Sequence, residues 1–302
     1  MPGKPQLAMF AGPAIEPANP SSDLADLGTR LPDGVFLGTS SWSFPGWVGQ
    51  VWKREHAATD LANRGLGAYA AHPLFRTVSV DRSYYRVPDP SVYAEYSEQV
   101  PPGFRFIVKA PASCTTARDP LLLDPAWAED TFLGPLREGL GARLGLVLLQ
   151  FPPQPADAVP RFYDRLARFL ELRAPWAVEV RTPALLEGPL AQVLVDRQAS
   201  PCLTLHPTMP DLRTQWQRTR AGDAPNLVIR WNLGGNQAYE DAKSRYAPFD
   251  RVVDPDPALR SALARAVRWA VDRGRPVWIT ANNKAEGSAP GTLEGIARAL
   301  LD

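Results

Sequence analysis

The chain has 302 residues, 45% hydrophobic and 22% charged, with a formal net charge of +1. This is the composition of an ordinary soluble globular protein, and near-neutrality removes the global field that draws nucleic acid or anionic membrane. No stretch approaches the roughly 18 apolar residues of a membrane span. Met1 to Pro20 lacks the basic-then-apolar order of a signal peptide, and Cys114 and Cys202 form no CxxC or disulfide framework. The cytoplasm is the expected compartment.

Residues 1–33 are rich in Pro, Ala, Gly, Asp and Ser and are expected to form a flexible or loosely packed extension. From Val35 onward, short apolar runs alternate with longer amphipathic stretches, the rhythm of βα units. The runs predict strands at Val35–Gly38, Thr77–Val80, Phe104–Lys109, Gly145–Leu149, Trp176–Val180, Cys202–Leu205, Leu227–Trp231 and Val277–Thr280. Helices are predicted near 57–71, 90–99, 126–140, 159–171, 183–197, 209–219, 257–273 and 292–301. Pro88-Asp89-Pro90-Ser91 and Asp254-Pro255-Asp256-Pro257 suit helix starts, because proline fits a first turn and Asp or Ser caps exposed amides. Eight strands each followed by a helix predict a single-domain (β/α)8 TIM barrel over 34–302. A doubly wound open sheet fits less well, since no GxGxxG follows the first strand.

In such a barrel the site lies at the carboxyl ends of the strands, so the ends are informative in order. Strand one runs into Thr39-Ser40-Ser41-Trp42-Ser43-Phe44-Pro45-Gly46-Trp47, whose hydroxyls and indoles suit a polar ring or an anion, or a packed loop over the mouth. Strand two runs into Asp81-Arg82-Ser83-Tyr84-Tyr85-Arg86, where Arg86 could clamp a phosphate or carboxylate or pair with Asp81. Lys109 ends strand three as electrostatic stabiliser, proton donor or ion-pair partner of Glu179. Gln150 ends strand four. Period-two alternation puts Glu179 and Arg181 of strand five on one side, making Glu179 the best available general base. A single His206 beside Pro207 carries little weight. Arg230 of strand seven is placed to meet Arg86 and Arg181 across the mouth, implying an anionic ligand or matching acids. Tyr239 and Tyr246 follow, to cover the opening or to pack. Strand eight supplies Asn282, Asn283, Lys284 and Glu286.

Absences narrow the chemistry. With three histidines and no HExxH, HxH or Cys/His group, no histidine-rich metal centre is expected, though a carboxylate-held Mg²⁺ stays open. No Walker motif or GxSxG elbow is present. No cofactor is called for.

The strand-end segments together resemble the DUF72, or YecE-like, family of largely uncharacterised TIM barrels. The matching stretches are Gly38–Gly49, Ser83–Arg86, Pro101–Phe106 with Val108-Lys109, Gln150–Pro153, Val178–Arg181, and Asn282-Asn283 with Glu286-Gly287 and Ala289-Pro290. The resemblance implies a pocket built on Arg86, Lys109, Gln150, Glu179, Arg181, Asn282 and Asn283, and a relation to sugar isomerases by barrel analogy. This chain departs from the family pattern. Ser79 and Asp81 stand where Glu and Asn are usual, Thr182 and Leu185 where His and Trp are usual, Asn232 where a histidine follows the strand-seven arginine, and Lys284 where Asp or His is usual.

The leading expectation is an isomerase- or hydrolase-type enzyme for a sugar-like or phosphorylated polyol. Glu179 would be base and Lys109 acid or electrostatic stabiliser, with Trp42, Asp81, Tyr85, Arg86, Gln150, Arg181, Arg230, Asn282, Asn283 and Glu286 binding substrate. The alternatives are a metal-dependent phosphodiester or nucleic-acid enzyme, disfavoured by the neutral charge, and a non-catalytic barrel that binds an anionic ligand. The expected partner is a small anionic or polyhydroxylated molecule, with no membrane partner; the residues leave turnover and oligomeric state open.

Overall fold

The computed structural model describes residues 14–155, 159–234 and 239–302. Eight parallel strands close into a barrel in the order β1 to β8, each bonded to its sequence neighbours and β8 to β1. They are β1 Val35–Thr39, β2 Phe75–Val80, β3 Arg105–Lys109, β4 Leu144–Phe151, β5 Trp176–Val180, β6 Ser200–Leu205, β7 Leu227–Trp231 and β8 Val277–Ala281. All eight expected runs are strands, and the fold is the expected (β/α)8 barrel. Among the described residues no helix is long and apolar enough to cross a membrane.

Alternation sorts the strand side chains into two cores. Inside the barrel lie Ile107, Leu146, Leu148, Ala177, Cys202, Val228 and Trp278, with Phe36 packed against them. Phe36 and Trp278 stack at 4.1 Å, and the indole fits because Gly145 has no side chain; a Cβ there would lie 2.5 Å from the Trp278 ring. The other face of each strand packs on the helices in one large apolar cluster. The barrel floor is therefore sealed by apolar groups, and polar inward side chains begin one step further along each strand.

Helices differ from expectation where glycine and proline interrupt the pattern. The stretch 57–71 forms two helices, α2 Ala58–Arg64 and α3 Leu66–Ala70, meeting at Gly65. The 126–140 stretch begins with α7 Pro125–Trp127 and widens into a π turn over Ala128–Leu133 before α8 Gly134–Leu140. Pro135, lacking an N–H, cannot close the ordinary i to i−4 bond there. Gly188-Pro189 separates a 3₁₀ turn at Pro183–Leu186 from α10 Leu190–Asp196. The helices α5 Pro90–Glu98, α9 Val159–Phe169, α11 Leu212–Thr219, α13 Pro257–Val271 and α14 Ala289–Leu301 stand near their expected places. Asp256 caps α13 by accepting the Leu259 N–H at 2.8 Å.

Residues 14–33 depart from the expected loose extension. Helix α1, Ser22–Arg30, is capped by Ser21, and Ile15, Leu27 and Leu31 are buried in the main core. Arg76 of β2 donates to the carbonyls of Pro32, Leu31 and Gly28 at the end of α1. An arginine at a helix C-terminus satisfies carbonyls the helix leaves open. Of the tyrosines expected to cover or pack near the opening, Tyr246, in α12 Tyr239–Tyr246, is buried and donates to Asp254 at 2.9 Å. The side chain of Tyr239 lies outside the described residues.

The β1–β2 ladder breaks register between Leu37 and Gly38. Gly38 is required there, since a Cβ would lie 2.0 Å from the Thr77 carbonyl oxygen. The Tyr69 phenol of α3 fills the break: it accepts the Thr39 N–H at 2.9 Å and donates to the Thr77 carbonyl at 3.1 Å. Tyr69→Phe leaves both buried backbone groups unpaired and should cost about 1–3 kcal/mol, measured by urea unfolding. A loss too small to resolve would show that the phenol is not what bridges the strands.

Candidate functional site

Chemistry collects at the carboxyl ends of β3 to β7. Glu179 and Gln150 are register partners on β5 and β4, one inward step beyond the apolar Ala177 and Leu148. Glu179 is fully buried. One of its oxygens accepts from Arg181 Nε, and the other from Arg230 Nη1 at 2.6 Å. The same Arg230 Nη1 donates to Gln150 Oε1 at 2.9 Å. Cys202 Sγ lies 3.9 Å from Glu179 Oε2, below the ion pairs. Arg230, 4% exposed, keeps its Nε without a partner among the described residues.

Burial alone would push the Glu179 carboxyl up, but the Arg230 and Arg181 charges outweigh it and hold it down at about 2. Burial raises the Cys202 thiol well above its ordinary value of 9.0, and the Glu179 charge adds to this. The thiol therefore stays neutral and donates weakly. His206 is held below its ordinary value by burial and by Arg181. Its Nδ1 contacts Thr208 Oγ1 at 2.8 Å and accepts the Thr208 N–H at 3.3 Å.

Lys109 stands apart from this interlock. It is 9% exposed, and no hydrogen bond joins its ammonium to a described residue. Its ammonium lies 3.7 Å from the centre of the Tyr84 ring in a cation–π contact. Desolvation lowers its pKa below the ordinary 10.5, with Asp81 opposing and Arg230 reinforcing. The ion pair of Lys109 with Glu179, a structural alternative for this lysine, is absent: both Glu179 oxygens are taken by arginines. Asp81 accepts from Ser79 Oγ at 2.8 Å through one oxygen.

Two cavities open among the loops that follow β1, β2 and β8, and neither is lined by Lys109, Gln150, Glu179, Arg181 or Arg230. One, about 210 Å³, lies between the loops after β1 and β8 and is lined by Ser40, Trp47, Asn282, Asn283 and Lys284 among others. Asn283 Oδ1 there accepts from Trp47 Nε1 and the Ala289 N–H, each at 2.9 Å. The Asn282 carboxamide oxygen accepts the Lys284 N–H at 3.0 Å. The second, about 180 Å³, lies between the loops after β1 and β2 and includes Trp42, Ser79, Asp81 and Arg82. A larger cavity of about 570 Å³ sits outside the barrel between residues 14–17 and α2, α3 and α5. It contains none of the strand-end groups, and we place the site at the barrel mouth on chemistry rather than on size.

The structure brings Glu179, Arg181, Arg230 and Gln150 into direct contact, and sets Lys109 and Asp81 beside them. Three expected site residues lie elsewhere. Tyr85 is 84% exposed and Arg86 is exposed as well. Residues Arg82–Tyr85 form a single helical turn, α4, and it is Tyr84 that turns inward. Arg86 consequently does not join Arg181 and Arg230. Glu286 is fully buried with its carboxylate consumed by Arg260, at 2.6 Å from Nη2, and by the Asp256 N–H at 2.6 Å. It anchors the loop after β8 to the start of α13. The sequence reading chose Tyr85 rather than Tyr84, since no periodicity distinguishes the two in so short a turn, and missed Cys202, which alternation with the inward side of β6 would have marked. Among the described residues no group of three His, Cys, Asp or Glu side chains is placed to hold a metal ion.

The family model for DUF72, a protein family of unknown function, matches residues 36–302. The chain belongs to the DUF72 family. Crystal structures of DUF72 proteins share its fold. One from Thermotoga maritima is 21% identical with a TM-score of 0.64, covering 89% of this chain and 99% of its own. One from Enterococcus faecalis is 19% identical with a TM-score of 0.59, covering 89% and 98%. A search among curated proteins finds no match.

The electrostatics predict a two-stage acid transition. His72, buried and held down at about 4 by burial, has an unfolded value of 6.5, so the unfolded chain binds more protons between these limits. Its contribution is full above 6.5 and declines as pH falls to about 4. The Glu179 contribution is full above 4.5 and is lost as pH falls towards 2. His72→Phe should flatten the first limb alone in urea titrations across pH. Glu179→Gln strands two guanidiniums together and should cost about 3–5 kcal/mol at neutral pH. Unchanged stability in Glu179→Gln would refute the interlock.

Proposed function

We propose that this DUF72 barrel binds a small anionic, polyhydroxylated molecule at its mouth, and that Lys109 is the group that moves a proton there. The observation that carries this reading is the Lys109 ammonium: nearly buried, without a hydrogen-bond acceptor among the described residues, and desolvated. A cation in that state is stabilised by an oxygen ligand that completes its donors. The local charge balance among the described residues supports an anion, since Lys109, Arg181 and Arg230 are opposed chiefly by Glu179 and Asp81. Carboxamides and hydroxyls around the mouth suit the hydroxyls of a sugar-like or phosphorylated polyol.

Glu179 takes a different role from the base expected of it. A carboxylate at about 2, held by two guanidiniums, is a poor proton acceptor. It fixes Arg181 and Arg230 as preorganised donors, the arrangement that stabilises developing negative charge. Lys109, with its pKa shifted towards neutrality, is better matched to proton transfer in an isomerisation or hydrolysis. The locked Glu179 also favours a second reading, a binding barrel without turnover.

A thermal-shift and calorimetric panel separates these readings. Sugar phosphates should raise Tm through binding linkage, whereas neutral sugars should do so less and oligonucleotides not at all. Stabilisation by oligonucleotides with none by sugar phosphates would sink the proposal. Binding should weaken as pH rises through the lowered Lys109 pKa, below 10.5. Lys109→Met should abolish that limb and reduce affinity by about tenfold or more, without loss of folding stability. Binding that persists in Lys109→Met would remove the lysine from the site, and binding without conversion of any sugar phosphate would select the second reading.

A further inference from the structure

Two residues of the turn α4 act on Lys109, Ser83 on its backbone and Tyr84 on its side chain. The β2–β3 ladder has its last register pair at Val80 and Val108. Beyond it, the buried Ser83 hydroxyl donates to the Lys109 carbonyl at 2.6 Å, with the Val80 carbonyl at 3.2 Å. The Tyr84 N–H donates to the Asp81 carbonyl and the Arg86 N–H to the Arg82 carbonyl, each at 3.1 Å, which closes the turn. Ser83 thus pins α4 to the end of β3. The next residue, Tyr84, is half-buried and lays its ring 3.7 Å from the Lys109 ammonium. Tyr85, exposed, meets that ring edge-on at 5.2 Å.

We infer that Tyr84 is a positioning residue: its ring keeps the Lys109 ammonium charged and in place at the mouth with its N–H donors uncommitted, and Ser83 sets the ring there. The inference rests on Lys109 as the proposed proton-moving group and adds what presents it. A carboxylate and a ring face act differently on an ammonium. A carboxylate accepts its N–H bonds and cancels its charge, whereas a ring attracts the charge through its quadrupole and accepts no conventional hydrogen bond. Burial favours loss of the Lys109 proton, and Arg230 of β7 and Arg181 after β5 push the same way. Asp81 at the end of β2 and Glu179 of β5 oppose them, yet neither forms an ion pair with Lys109. The ring is therefore the contact that steadies the charge at short range, and such a contact gains strength as water is excluded.

The test reads Lys109 in the ligand-free protein through its ¹³Cε and Hε resonances, assigned with Lys109→Met. An ammonium over a ring puts the adjacent Hε protons in the ring current, so they should resonate upfield of those of the other lysines. Tyr84→Phe should keep that displacement, Tyr84→Leu should remove it and Ser83→Ala should reduce it. Phenylalanines with successively more ring fluorines, placed at position 84, weaken the quadrupole while scarcely changing the ring's shape. A weaker ring stabilises the ammonium less, so the Lys109 pKa should fall further below 10.5 with each fluorine. The positioning role is overturned if the Hε protons show no upfield displacement, or if Lys109 titrates identically across the fluorine series, as a ring that merely packs would allow. A displacement unchanged in Ser83→Ala would remove Ser83 from the arrangement. With no ligand present, a flat fluorine series leaves the proposed binding untouched. A sugar-phosphate panel without response would overturn that binding and leave the Tyr84 result standing.

Discussion

The arrangement of the barrel mouth depends on one buried anion. Glu179 has no exposure to water, and a carboxylate placed there alone would cost several kcal/mol and take up a proton. Arg181 and Arg230 keep it charged, from its own strand and from β7 respectively. The pairing spans the barrel interior and brings Gln150 of β4 into the same network. Strands β4, β5 and β7 are thus tied at their carboxyl ends by directional bonds, above a floor that is otherwise held by non-directional apolar packing. Replacing such a network by apolar groups often leaves stability unchanged, so its presence is better explained by what it positions than by what it stabilises.

What it positions is the remaining charge. Once both Glu179 oxygens are occupied, Lys109 has no carboxylate at contact distance among the described residues and rests on the Tyr84 ring. The interlock therefore divides the five charged groups into a satisfied set and an unsatisfied one. The satisfied set gives rigidity, and the ammonium left over is the group on which the proposed binding of an oxygen ligand rests. The departures from the family pattern fit this division. Thr182 accepts the Gln154 N–H at 2.7 Å, Asn232 donates to Thr204 Oγ1 at 2.8 Å, and Leu185 is fully buried. These three positions are absorbed into local structure, whereas the departures Asp81 and Lys284 line the mouth cavities; Lys109 is the proton-moving group in the proposed chemistry.

Much of this was legible in the residues because a parallel barrel obeys simple periodicities. Eight apolar runs gave eight strands, and alternation from Val180 put Glu179 and Arg181 on one face. Where the reading chose the wrong neighbour, a short local turn set which side chain faces inward. Tyr84 and Tyr85 exchange roles because α4 is helical over four residues, a length too short for hydrophobic periodicity to register. Helix α1 was hidden by composition: its Pro- and Ala-rich surroundings read as disorder, while its order comes from Arg76, some 45 residues away in sequence, closing its C-terminus.

Glu286 shows the limit of inference from residue type alone. A carboxylate following a strand end, beside two asparagines, reads as a ligand group, and nothing in the local sequence says otherwise. Its partner, Arg260, lies on a helix 26 residues earlier and meets it only through the fold. The pair nevertheless bears on the site indirectly. The Glu286 carbonyl accepts the Val253 and Asp254 N–H groups, and the Gly287 N–H donates to the Asn283 carbonyl. The loop that carries Asn282 and Asn283 is thereby held at both its side-chain and its backbone atoms. Fixing a loop this way lowers the entropy that its carboxamides would lose in engaging the proposed ligand, so a residue whose own carboxylate is consumed by Arg260 still conditions the mouth.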